Sequence, residues 1–177
     1  GADREWAEST GVASISDLAA YLAEASDPVG VAINQEFFDR EDGWSGLLDH
    51  YGIDEDDREL LTDGTFFVTS TGLTDELLGR ESVQLANGFA TDPFLDREPV
   101  VVLDDDRNHF VPYQPVPTAF APLVEETPAV FEALAPVVES LNESAMRGLN
   151  RRVLVDGHRP HAVAKAYLEE RGIADGE

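Results

Sequence analysis

The sequence predicts an α/β protein, and three observations carry that expectation. Short apolar runs with strand chemistry (PVGVAI at 28–33, TFFVTS at 65–70, SVQLANGF at 82–89) alternate with stretches of helical periodicity. Asn, Asp, Gly and Pro punctuate the boundaries between them. Residues 127–172 read as three successive helices. A chain of 177 residues, 42% of them apolar, can build one ordinary domain or two small lobes sharing a core.

Taken in order, SISDLAAYLAEA (14–25) reads as a helix with Ser16 as N-cap and Leu18, Tyr21 and Leu22 on one stripe. PVGVAI follows as a short buried strand. NQEFFDREDGWSGLLDHYG (34–52) reads as two short helices broken near Asp42-Gly43 and closed by Gly52. IDEDDRE (53–59) reads as an acidic loop. TFFVTS is a strand, LTDELLGR (73–80) a short helix, and SVQLANGF a strand whose Asn87-Gly88 pair permits unusual backbone angles. EPVVVL (98–103) and HFVPY (109–113) read as a strand and its return, joined by a DDDRN turn. PTAFAPLV (117–124) reads as extended. Thr127-Pro128 opens the first closing helix, Asn142 caps the second, and Pro160 opens the third, which ends at Gly172.

Charge narrows the function classes. The chain carries 36 acidic and 12 basic residues, a net charge of −24, with Lys165 the only lysine. Such a surface repels nucleic-acid phosphates and anionic lipid heads. The acids are spread along the chain rather than gathered in a tail. This pattern fits a halophilic source, because at molar salt the Debye length falls to about 3 Å and the self-repulsion is screened. With no cysteine, disulfides and thiolate metal sites are excluded. No apolar run approaches the ~20 residues that span a bilayer. The opening GADREWAEST lacks the basic and apolar regions of a signal peptide and reads as the abrupt start of a chain that continues upstream.

The stretch VVVLDDDRNHFVPYQPVP (100–117) poses the functional question. Consecutive aspartates alternate between the faces of a strand, so only Asp104 and Asp106 could share a metal, with His109 nearby. The spacing does not match a calcium-binding loop, and no nucleophile-elbow, zinc-helix or phosphate-loop motif is present. The residues favour a turn, since Asp and Asn tolerate its backbone angles. The alternative is a metal- or carboxylate-dependent enzyme domain built on Asp104, Asp106 and His109.

Three segments together resemble a known family. EFFDREDGWSGLLDHYG, ESVQLANGFATD and VVVLDDDRNHFVPYQPVP are similar, in order, to segments of the substrate-binding proteins of glycine betaine/choline/proline betaine ABC transporters. The resemblance covers roughly residues 14–173. It implies a periplasmic-binding-protein-like type II fold and no enzymatic activity. One lobe would be nearly complete (14–90), and residues 1–13 and 95–177 would form part of the other, whose N-terminal half is absent from this sequence. Hinge segments would lie near Asn87–Asp92 and near the N-terminus. Lobe closure would trap a quaternary ammonium osmolyte, and an ABC permease would be the membrane partner. Such a receptor works at the extracellular face of the membrane, lipid-anchored or fused to its permease. A half-built lobe would expose an apolar face able to drive a homodimer.

The family's motifs carry ligand-binding roles onto four residues. Tyr113 matches a tyrosine of the aromatic cage that holds the cation, a group that ring faces attract. Arg40 matches the arginine that contacts the ligand carboxylate. Phe89 stands where the family has a further cage tyrosine, keeping the ring but losing the hydroxyl, and Thr91 follows it. Trp44 reads as core packing. A third reading is a degenerate binding module acting as a sensory domain.

Overall fold

The computed structural model describes residues 1–70, 72–78, 82–96 and 99–173. They fall into two compact units, Gly1–Phe89 with Phe94–Val111, and Ala90–Pro93 with Pro112–Glu177. Gly79 and Arg80, the end of the predicted helix 73–80, and Glu98, the start of the predicted strand 98–103, lie outside the described residues.

The first unit is built on a five-stranded mixed sheet. β1 (Ala2–Asp3) leads into α1 (Arg4–Thr10) and α2 (Ile15–Glu24). β2 (Val31–Asn34) follows, then α3 (Gln35–Asp39), α4 (Trp44–Tyr51), α5 (Glu55–Thr62), β3 (Phe66–Thr69), α6 (Thr74–Leu77), β4 (Leu85–Ala86) and β5 (Val100–Val101). The strand order is β3-β2-β4-β1-β5. β2 runs parallel to β3, with Asn34 opposite Thr69, and parallel to β4, whereas β1 is antiparallel to β4 and β5. All four β2 residues are buried, as expected of a strand flanked by parallel neighbours. Because the chain leaves β2 toward β3 on one side and returns to β4 on the other, the sheet has a topological switch at the carboxyl end of β2. Ligands of open α/β sheets collect at such a point. The core beneath it joins Ile15, Leu18 and Leu22 of α2 to Val31 and Ile33 of β2 and to Leu48, Tyr51 and Leu61; Trp44 packs against it as expected.

The second unit is helical: α7 (Ala121–Glu126), α8 (Pro128–Ser140), α9 (Glu143–Leu154) and α10 (Pro160–Glu170). Pro128 and Pro160 occupy first-turn positions, where a missing N–H costs nothing. Asn142 caps α9 by accepting from the Ala145 amide at 2.9 Å. The Tyr167 hydroxyl of α10 donates to the Ser140 carbonyl at 2.8 Å, tying it to the end of α8. Val163 and Tyr167 are buried, whereas α8 buries none of its residues and Val130 is exposed.

Local expectations meet four corrections. IDEDDRE is not a loop: Asp54 caps α5 through the Asp57 amide, Glu55, Asp56 and Asp57 lie in the first turn where the helix dipole favours anions, and Leu61 anchors the helix in the core. Residues 109–113 form no return strand. The Asp105 carboxylate takes the His109 and Phe110 amides that such a ladder would need, and β5 pairs with β1 instead. The stretch 117–124 is extended only to Phe120, where α7 begins with Pro122 in its first turn. The cap of α2 is Ser14 rather than Ser16. Ser14 and Asp17 form a reciprocal capping box, at 3.0 Å and 2.9 Å, and hydrogen bonds from the Ser14 hydroxyl and the Ala13 and Ser14 amides hold the Asp17 carboxyl below its usual range.

Leu22, 1% exposed, is the test of this packing. Leu22→Ala is expected to remove about 3 kcal/mol of unfolding free energy, measured by denaturant titration in molar KCl. A loss below about 1 kcal/mol would show that α2 is not anchored as described.

Candidate functional site

The three aspartates form a staple rather than a metal cluster. Asp104 uses its backbone, accepting from the Ile15 amide at 2.9 Å and donating to the Ala13 carbonyl at 3.0 Å. Asp105 turns inward. One carboxylate oxygen accepts the Tyr51 hydroxyl at 2.5 Å and the His109 amide at 2.9 Å, and the other accepts the Phe110 amide at 2.8 Å. Burial pushes the Asp105 carboxyl up, but these donors outweigh it and hold the group below the ordinary carboxylate range. Asp106 accepts the Ser16 amide at 3.1 Å, and Arg107 donates to the Ser16 hydroxyl at 3.0 Å. Ser16 therefore serves this turn and not the start of α2. Asn108 adopts the left-handed conformation (φ 55°) that asparagine tolerates.

This staple engages the residues of the enzyme alternative. The His109 ring donates from Nε2 to the Asp42 carbonyl at 3.0 Å, and Asp106 is bound to Ser16. Among the described residues, no three His, Asp or Glu side chains converge to hold a metal ion.

The staple joins two of the motif segments within the first unit. Tyr51 ends the first motif and Asp105 lies in the third. The Tyr51 oxygen also accepts the Arg107 amide at 3.0 Å, and the Arg107 guanidinium stands 5.2 Å from the Tyr51 ring centre. His50 and His109 lie with rings 5.2 Å apart, and His50 Nε2 meets the Arg107 carbonyl at 3.1 Å. Phe110 then reaches back to Phe37, centroids 6.0 Å apart.

Arg40 sits in the tight turn between α3 and α4. A Cβ on Gly43 would stand 1.9 Å from the Phe37 carbonyl oxygen, so this turn requires glycine. The Arg40 Nε and Nη2 grip the two Asp42 oxygens at 2.9 Å and 2.7 Å, and Nη1 lies 3.8 Å from Glu36. The hydrogen bonds from Arg40 depress the Asp42 carboxyl. The guanidinium is thus held in a fixed orientation on a half-exposed turn.

The carboxyl end of β2 carries residues that sequence reasoning missed. The Asn34 amide N–H donates to Asn87 Oδ1 at 2.7 Å, linking β2 to the end of β4, and Asn34 Oδ1 caps α3 by accepting from the Phe37 amide at 2.8 Å. Phe89, 45% exposed, follows two residues after Asn87. Phe66 gathers Phe38 and Trp44, with centroids 6.1 Å and 6.0 Å away. Asn34 (2% exposed) and Thr74 (4%) are the only buried polar residues among those described. Asn34 Nδ2 and Thr74 Oγ1 have no hydrogen-bond partner among the described residues. Leaving such groups unpaired costs about 1–3 kcal/mol each. The sequence signal for Asn34 was its place after an apolar strand and before EFF, which reads equally well as a plain helix cap.

The structure places Arg40 and Phe89 in the first unit and Thr91 and Tyr113 in the second. The Thr91 carbonyl accepts from Asn150 Nδ2 at 3.0 Å. Tyr113 is 72% exposed, on a segment stiffened by Pro112, Pro115 and Pro117.

The family described as the substrate binding domain of the ABC-type glycine betaine transport system matches residues 1–170. The chain belongs to this family. A glycine-betaine-binding protein of Pseudomonas aeruginosa is 30% identical over 176 residues, 97% of this chain and 55% of that protein. The chemotactic signal transduction system substrate-binding protein CosB of Halobacterium salinarum is 30% identical over 164 residues, 88% of this chain and 47% of that protein. This substrate-binding domain therefore spans about half the length of the curated relatives it matches. The crystal structure of a glycine betaine/carnitine/choline ABC transporter superposes with a TM-score of 0.73 at 24% identity, over 98% of this chain and 60% of that one, which establishes the periplasmic-binding-protein-like fold.

The staple has a pH signature. Burial and the bond to Asp105 push the Tyr51 hydroxyl up to about 12, above its ordinary ~10. The protonated phenol therefore stabilises the fold fully below pH ~10, and that contribution is lost as pH rises through about 12. Tyr51→Phe is expected to cost about 1–2 kcal/mol at neutral pH and to flatten the alkaline limb of a stability-versus-pH curve. Identical alkaline limbs in both proteins would contradict the staple.

Proposed function

We propose that this substrate-binding domain belongs to an extracytoplasmic receptor for a quaternary ammonium osmolyte, a betaine or choline, which it delivers to an ABC permease. The observation that supports this most directly is the family match across residues 1–170, together with the three ordered motif segments that carry Arg40, Phe89 and Tyr113. In this reading Tyr113 and Phe89 offer ring faces to the trimethylammonium group, which cannot donate a strong hydrogen bond and is held by aromatic quadrupoles. Arg40, oriented by Asp42, receives the carboxylate of a betaine, and Thr91 supplies a polar contact.

Residues 14–90 are read as most of one lobe and residues 1–13 and 95–177 as part of the other. No described helix is long and apolar enough to cross a membrane. Contact with the bilayer would then come through the permease or an anchor elsewhere in the native protein. The acidic surface fits a cell that works in high salt and imports compatible solutes.

A second reading has its own support. The likeness to a chemotactic substrate-binding protein of Halobacterium salinarum favours a receptor that reports the same class of ligand to a signalling partner rather than to a permease. The ligand site is common to both readings, and pull-down of membrane partners separates them.

The test is a thermal-shift titration of the full native chain in about molar KCl with glycine betaine, proline betaine and choline. A ligand at 100 times its Kd adds about 2.7 kcal/mol to stability and raises Tm accordingly. Tyr113→Ala is expected to abolish the shift with all three, and Arg40→Ala to weaken the two betaines more than choline. Failure of all three ligands to shift Tm would sink the reading.

A further inference from the structure

The two buried polar groups that have no hydrogen-bond partner among the described residues lie toward the carboxyl ends of the parallel strands β2 and β3. Asn34 is the last residue of β2, and its register partner on β3 is Thr69. From there the chain makes a turn closed by the Leu73 amide on the Ser70 carbonyl at 3.1 Å. Thr74 comes next, as the first residue of α6, which packs on β2 and β4. Both side chains therefore lie at the carboxyl end of the parallel strands, at the topological switch of the sheet.

The orientation of the Asn34 carboxamide is fixed by its own cap. Only its oxygen can accept the Phe37 N–H, so the amino group must point away from that bond. The helix it caps delivers Arg40 at its end, and the strand it pairs with through Asn87 delivers Phe89. One amide donor and one hydroxyl, both buried and without partners among the described residues, can receive an acceptor from outside the chain.

We propose that Asn34 Nδ2 and Thr74 Oγ1 are specificity-determining donors for the carboxylate of the bound osmolyte, so that they select betaines over choline. This rests on the osmolyte reading above. Arg40 supplies charge from an exposed turn, and the two neutral donors supply direction from a dry one. A ligand without a carboxylate leaves them unpaired, and rejection by unpaired buried donors is stronger than rejection by lost apolar contact.

Two variants test this in the full native chain, with glycine betaine and choline as the probes and calorimetric Kd as the readout. Asn34→Asp keeps the cap of α3, because Asp is as good an N-cap as Asn, but sets a carboxylate against the ligand carboxylate. The preference for glycine betaine over choline should fall at least about tenfold, and the buried carboxylate is expected to lower Tm in the absence of ligand. Thr74→Val preserves volume and removes only the hydroxyl, and should lower the same preference about three- to tenfold without lowering Tm. If the wild-type chain binds neither probe, the osmolyte reading fails and this proposal falls with it. If the wild type binds glycine betaine and both variants keep its preference, this proposal alone is overturned, and a buried water is the partner of the two groups.

Discussion

The Tyr51 hydroxyl meets the Asp105 carboxylate across 54 residues of sequence, and much of the first unit is arranged around that contact. Tyr51 is buried at the end of α4, so its position is set by the core. Asp105 is then fixed from the side of Tyr51 and from the side of its own turn, through the His109 and Phe110 amides. With Asp105 in place, Asp106 and Arg107 reach Ser16, and His109 reaches the carbonyl of Asp42. The turn that carries Arg40 is thereby tied to the segment that leads on toward Tyr113. Two motifs that look independent in sequence are one hydrogen-bonded structure.

The same chain shows how an acid-rich composition divides its work. Asp3, Asp17, Asp54 and Asp105 each take backbone amides at the start of a helix or inside a turn. A charged acceptor makes a stronger bond to an amide than a neutral one, so these acids act locally. Glu55, Asp56 and Asp57 serve a weaker purpose, lying in the first turn of α5 where the dipole favours them. Many of the remaining acids face solvent, where molar salt screens their repulsion. A net charge of −24 is in this sense a surface property with a small structural subset inside it.

The candidate site draws on different kinds of support for its different members. Arg40 is half-exposed, charged and gripped by Asp42, so its orientation is local chemistry. Phe89 and Tyr113 are exposed aromatic side chains on irregular segments. Asn34 and Thr74 are neutral and buried, the opposite condition, and they lie toward the carboxyl end of the parallel strands.

Much was legible in the residues themselves. The break between α3 and α4, the αL glycine that ends α4, the Asn142 cap and the prolines that open α8 and α10 are local devices, each written within a few residues. The motif segments and their candidate residues Arg40, Phe89, Thr91 and Tyr113 are likewise sequence features. The helix over IDEDDRE escaped because its acids look solvated until Leu61 finds the core. The return strand at 109–113 failed because a distant tyrosine set the aspartate that captured its amides. The role of Asn34 lies further still from the sequence, since a cap and an orphaned donor are the same residue until the neighbouring strands are known. Sequence alone therefore determined what short-range hydrogen bonding and periodicity decide: the class, most elements and the family. Tertiary structure decided strand order, the Tyr51–Asp105 staple and the two unpaired donors, because each depends on groups dozens of residues apart meeting in a dry interior.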